Sequence, residues 1–133
     1  MEPYNLPRTG STPLAFEGTR LAHVSGADIP SAKKNPRWHE IDLYQTQAGD
    51  YVAHVAFLCD SRYDTERHDV IVSNRPSVIV AWLNDFEPVK HVRGWPILTH
   101  RQQDERLREK LTAAFRLIVT QSLAQTEAFS ERI

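Results

Sequence analysis

The chain has 133 residues, enough for one domain, with 41% hydrophobic and 25% charged residues and a net charge of −1. That balance excludes a disordered tail and lacks the basic excess of a dedicated nucleic-acid binder. A single cysteine excludes an intrachain disulfide, and there is no run of about 18 apolar residues to span a membrane.

The opening stretch, MEPYNLPRTGSTPLAF, shows no basic segment followed by an apolar one. No signal peptide is expected, and the expected setting is cytoplasmic and reducing. Residues 1–13 hold Pro3, Pro7 and Pro13 with Gly10, Ser11 and Thr12. That composition predicts a flexible, irregular arm, followed by one domain over residues 14–133. Leu14–Ser25 reads as a first strand, with Gly18 inside it at a bulge or a close backbone approach. The stretch from Gly26 to Arg37 reads as a long loop carrying Lys33, Lys34 and Arg37, suited to binding.

The stretch DLYQTQAGDYVAHVAFLC, Asp42–Cys59, reads as two strands around a tight turn. A two-residue loop at Ala48-Gly49 would scatter apolar side chains over both faces. A three-residue loop, Gln47-Ala48-Gly49, pairs Thr46 with Asp50, Leu43 with Ala53, Ile41 with Val55 and His39 with Phe57. One face then carries Ile41, Leu43, Tyr51, Ala53, Val55, Phe57 and Cys59. The other carries Glu40, Asp42, Tyr44, Thr46, Val52, His54 and Ala56. A one-residue slip exchanges the faces, so the cleaner segregation selects the three-residue loop, with Gly49 at its left-handed position.

Asp60–Arg67 is a polar turn and His68–Asn74 a further strand, in sequential antiparallel order. Asn74 is placed to cap a helix that opens on Arg75-Pro76 and ends at Phe86. Its apolar stripe is Val78, Ile79, Trp82, Leu83 and Phe86. A turn-rich connection with Trp95 follows. Thr99 and Gln102 form a capping box for a long helix running to about Ala128. Leu107, Leu111, Ala114, Phe115, Ile118 and Leu123 mark its buried side. Its middle, AAFRLIVT, is apolar most of the way round, which predicts burial on more than one side. The expected fold is α+β: an antiparallel sheet of about four strands, packed by one short helix and one long C-terminal helix.

His54, Cys59, Asp60, His68 and Asp69 are the residue types that hold metals, but none has the tight local spacing of a metal site. His54 and Cys59 lie an odd number of residues apart on one strand and so face opposite ways. No nucleophile elbow, phosphate-binding glycine motif or H-E-x-x-H is present, and no metal or cofactor is expected. On the outer hairpin face, Glu40, Asp42, Tyr44 and His54 lie side by side. Carboxylates two residues apart on a strand sit about 6–7 Å from one another, a spacing usable for acid–base work. The same pattern suits a plain solvated sheet face. Lys33, Lys34 and Arg37 beside Trp38, and Arg93 beside Trp95, supply the basic and aromatic ingredients of single-strand stacking.

The motif F-x-G-x-x-L, then W-x-E-x-x-L-Y-x-T-x-x-G-x-Y-V-x-H, runs through Phe16, Gly18, Leu21, Trp38, Glu40, Leu43, Tyr44, Thr46, Gly49, Tyr51, Val52 and His54. Over residues 14–57 the chain resembles a strand module of bacterial proteins of unknown function, including the EXLDI family, whose closing E-x-L-D-I it does not carry. The resemblance implies strands and no particular activity.

The sequence therefore points first to a non-enzymatic protein-interaction or regulatory protein of bacterial, phage or mobile-element type. Its expected partner is another protein, and it is expected to form a homodimer through the long helix. A small enzyme or ligand-binding domain using Glu40, Asp42, Tyr44 and His54 is the second reading. A nucleic-acid binder using Lys33, Lys34, Arg37, Trp38, Arg93 and Trp95 is the third.

Overall fold

The computed structural model describes residues 1–27, 36–60, 64–92 and 101–129, with backbone only for 101–104. Five strands, β1 (Glu2–Arg8), β2 (Ser11–Ser25), β3 (Arg37–Thr46), β4 (Tyr51–Cys59) and β5 (Arg67–Ser73), form one antiparallel sheet in chain order. Helices α1 (Pro76–Asp85) and α2 (Arg101–Ala124) follow, then a 3-10 turn at Glu127–Phe129. No described helix is long and apolar enough to cross a membrane.

The expected flexible arm is instead β1, a turn at Thr9-Gly10 and the start of β2. Pro3 and Pro7 fit because β1 is an outermost strand, where a missing N–H costs no ladder bond. Pro13 fits because β2 pairs with β3 only from Gly18 onward. Gly10 supplies the left-handed φ of 77° at the turn. The fifth strand is the difference from the expected four.

The β3–β4 hairpin has the three-residue loop. Leu43 pairs with Ala53, Ile41 with Val55 and His39 with Phe57. Gly49 has a φ of 92°, and the Thr46 N–H donates to the Asp50 carbonyl at 2.7 Å. The Thr46 hydroxyl accepts the Asp50 N–H at 3.0 Å, closing the loop from inside.

One sheet face packs under the helices. Ile41, Leu43, Ala53 and Val55 meet Ile79 and Leu83 of α1 and Phe115, Ile118 and Val119 of α2. Phe57 meets Leu107 and Leu111 further along α2. The N-cap of α1 is Arg75, not Asn74; the Ser73 hydroxyl accepts the Arg75 N–H at 3.1 Å, and Pro76 opens the helix. At the other end, Arg116 of α2 donates to the carbonyls of Leu83, Asn84 and Phe86 at 3.3, 3.0 and 2.8 Å. These are the acceptors a helix leaves orphaned at its C-terminus. The helix α2 stops at Ala124, and the 3-10 turn carries Phe129 back onto Tyr51, ring centroids 5.3 Å apart. The expected Thr99–Gln102 capping box lies outside the described residues.

His39 lies buried on this face between the rings of Phe57 and Phe115, and its Nε2 donates to the Pro88 carbonyl at 3.1 Å. Burial pulls its pKa down from 6.5 to about 4, opposed by the Pro88 bond, so the ring is neutral. Arg37 is likewise buried, in an ion pair with the buried carboxylate of Asp64.

The sheet curls into a half-barrel. Tyr4, Leu6, Leu14 and Phe16 of the β1–β2 hairpin meet Tyr44, Val52 and Val70 across the concave interior. The Tyr44 ring stands 4.7 Å from Tyr4 and 5.4 Å from Phe16. The face expected to be solvated is therefore largely buried. The reason is curvature: the hairpin swings over it until Thr9 bonds to His68 of β5.

Candidate functional site

The concave face divides in two. Its apolar end is filled by the hairpin cluster, and its polar end is a strip across β2, β3, β4 and β5. The strip depends on an irregularity in β2. Arg20 pairs with Tyr44 and Ala22 with Leu43, so Leu21 is an extra residue, a β-bulge. In a regular strand, Arg20 and His23 would point to opposite faces. With the bulge both turn to the concave face, and both reach Asp42. His23 Nδ1 is 2.7 Å from Asp42 Oδ1, and Arg20 Nη1 is 3.7 Å from the same oxygen. The bulge also sends Ala22 to the helix side, where it joins the core.

The neighbouring carboxylate is equally fixed. Glu40 Oε2 accepts from the Ser25 hydroxyl at 3.0 Å and from the Trp38 indole N–H at 3.2 Å. On the other side of Asp42, His54 Nε2 lies 2.9 Å from His68 Nδ1, and His68 Nε2 lies 3.4 Å from Glu66 Oε2. Burial lowers the His54 pKa, and the His68 imidazole lowers it further; Asp42, Asp69 and Glu40 act in the opposite sense. Burial first, then the Asp42 charge, push the Tyr44 phenol up to about 12, so it stays protonated.

Of the residues expected on this face, Glu40, Asp42, Tyr44 and His54 share it. Tyr44 is part of the apolar end rather than an acid–base group. Asp42 and His54 are directly paired across β3 and β4. Trp38 belongs to the same strip through its indole. Arg37, expected in a basic binding cluster, is a buried structural cation instead, because its strand turns it inward to Asp64. Lys33, Lys34, Arg93 and Trp95 lie outside the described residues. Cys59 is half-buried on the other face, its thiol donating to the Asp64 carbonyl at 3.3 Å. Among the described residues, no three His, Cys, Asp or Glu side chains converge to hold a metal ion.

Sequence reasoning missed Arg20, His23 and Ser25 as members of the site. The one available signal was Gly18, where a Cβ would overlap the Gln45 carbonyl oxygen. The bulge sits three residues further on.

The His23–Asp42 pair sets the chemistry. A carboxylate at Nδ1 fixes the tautomer and ring orientation and leaves Nε2 for a ligand. The His23 side chain is 43% exposed. No protein-family model, curated protein or solved structure matches the chain.

Proposed function

We propose that the protein is a ligand-binding domain whose concave strip of Arg20, His23, Glu40, Asp42 and His54 receives a small polar molecule. The observation that carries this reading is the Leu21 bulge, which brings two side chains three residues apart onto one carboxylate. Bulges interrupt pairing and recur where a side chain must be re-aimed. The fixed carboxylates accept from a ligand's donors, and His23 and Arg20 face its acceptors. Proton transfer by His23, with Asp42 orienting it, is within reach of the same geometry.

A thermal-shift screen of small polar metabolites against the wild type and His23→Ala tests this. A true ligand raises the wild-type melting temperature by mass action and binds His23→Ala about tenfold or more weakly. Stabilisers that act equally on both proteins would overturn the reading.

A second reading is favoured by Leu117, which is 47% exposed in the middle of α2, one turn after the exposed Ala113. It is a non-enzymatic protein-interaction or regulatory protein, of bacterial, phage or mobile-element type, that dimerises through α2. Light scattering separates the cases. A mass near 15.3 kDa sinks the dimer; twice that mass, returning to one chain in Leu117→Glu, supports it.

A further inference from the structure

His68 is held from two sides. Its backbone meets the hairpin turn: the Thr9 N–H donates to the His68 carbonyl at 2.9 Å, and the Thr9 hydroxyl accepts the His68 N–H at 2.7 Å. Its side chain meets the sheet interior, Nδ1 against His54 Nε2 at 2.9 Å with ring centroids 5.1 Å apart. One residue therefore ties the edge of the half-barrel to its concave floor.

An N–H···N bond needs one proton between the facing nitrogens. His68 Nε2 faces Glu66, so the network assigns its proton there, which makes His68 Nδ1 the acceptor and His54 Nε2–H the donor. One added proton on His54 Nδ1 leaves that bond intact. A second, on His68 Nδ1, sets two N–H groups against each other. The carboxylates on the pair's own face are Asp42 and Glu40 from β3 and Glu66 just before β5; Asp69 lies on the opposite, helix-side face beside Val55, bound to Arg67. Asp42, Asp69 and Glu40 favour charge on His54, while burial and the neighbouring His68 imidazole oppose it.

We infer that His54 and His68 form a proton-operated latch: double protonation breaks their bond, shifts His68 and releases Thr9, so that the β1–β2 hairpin tip lifts from β5. The latch is closed near neutral pH and opens on acidification. It rests on the ligand-binding reading only for its purpose, which is to uncover the concave strip.

The test needs no ligand, so its failure and the failure of that reading are distinguishable. In wild-type protein with 15N-labelled histidine, the scalar coupling across the His54–His68 bond is measured at about pH 7.5 and about pH 5. Amide exchange of Thr9 is measured alongside, relative to the core amide of Ile41 and corrected for intrinsic rates. The coupling is expected at the higher pH and absent at the lower, with Thr9 protection falling about tenfold relative to Ile41. In His54→Gln, Thr9 protection should be the same at both values. Thr9 protection that persists when the coupling is lost would overturn the latch from wild-type data alone. So would a coupling unchanged between the two pH values, or an equal loss of protection in His54→Gln.

Discussion

His23 and Asp42 stand opposite each other on β2 and β3, and their 2.7 Å contact exists because Leu21 is an extra residue in β2. The contact is polar, partly buried and shared with Arg20. Asp42→Ala leaves the Arg20 guanidinium and the His23 Nδ1–H without their shared acceptor. It is expected to cost about 2 kcal/mol in urea unfolding. Arg20→Ala, whose side chain is half exposed, is expected to cost less than about 0.5 kcal/mol. Equal costs would mean that Arg20, not His23, is the main partner of Asp42.

The buried His39 gives stability a pH dependence with a definite sign. Its pKa is 6.5 in the free side chain and about 4 in the fold. Between these values the unfolded chain binds the extra proton. The contribution is thus complete above pH 6.5 and is lost as pH falls toward 4, by about 3 kcal/mol. His54, also lowered, acts in the same direction. His39→Gln, which retains a donor for the Pro88 carbonyl, is expected to flatten the acid limb of the stability curve. An unchanged slope would place the proton uptake elsewhere.

The buried pair Arg37–Asp64 is expected to behave as a pair and not as two contributions. Asp64→Ala removes the carboxylate paired with the buried Arg37 guanidinium and should cost about 3–5 kcal/mol. The double variant Arg37→Met, Asp64→Leu should recover most of that loss. Guanidinium denaturation of the three variants checks it, and a double variant as unstable as Asp64→Ala would contradict it.

Two glycines separate conformational from steric need. At Gly49 the φ of 92° is the issue and the space is open, so Gly49→Ala should cost about 1 kcal/mol. At Gly18 an added Cβ overlaps the backbone of Gln45, and Gly18→Ala should cost about 1–3 kcal/mol. Thermal melts of both variants provide the ranking, and a larger loss at Gly49 would reverse the argument.

The hairpin was legible because alternation over Glu40–Phe57 permits one clean register and Gly49 fits its loop. Strand β1 was not legible. Pro3, Pro7 and Gly10 look like an irregular segment until the segment is known to lie at a sheet edge. The face carrying Glu40, Asp42 and His54 could be read, but its burial could not, since curvature comes from how the hairpin folds across the sheet. The convergence of Arg20 and His23 on Asp42 depends on one inserted residue. Its one local mark is Gly18, three residues earlier, and that glycine fits a close backbone approach as well as a bulge. Arg37 shows the reverse failure: a cation beside an aromatic residue looks like a binding group until its strand position turns it toward Asp64.

The most direct test of the concave strip as the working surface is backbone amide mapping of the wild type by NMR, with the strongest stabiliser from the metabolite screen added stepwise. The account predicts saturable shifts centred on His23, Asp42 and His54, abolished in Asp42→Ala while the spectrum of the helix face stays unchanged. Shifts centred on α1 or α2 with the concave strip silent, or shifts that persist in Asp42→Ala, would contradict it.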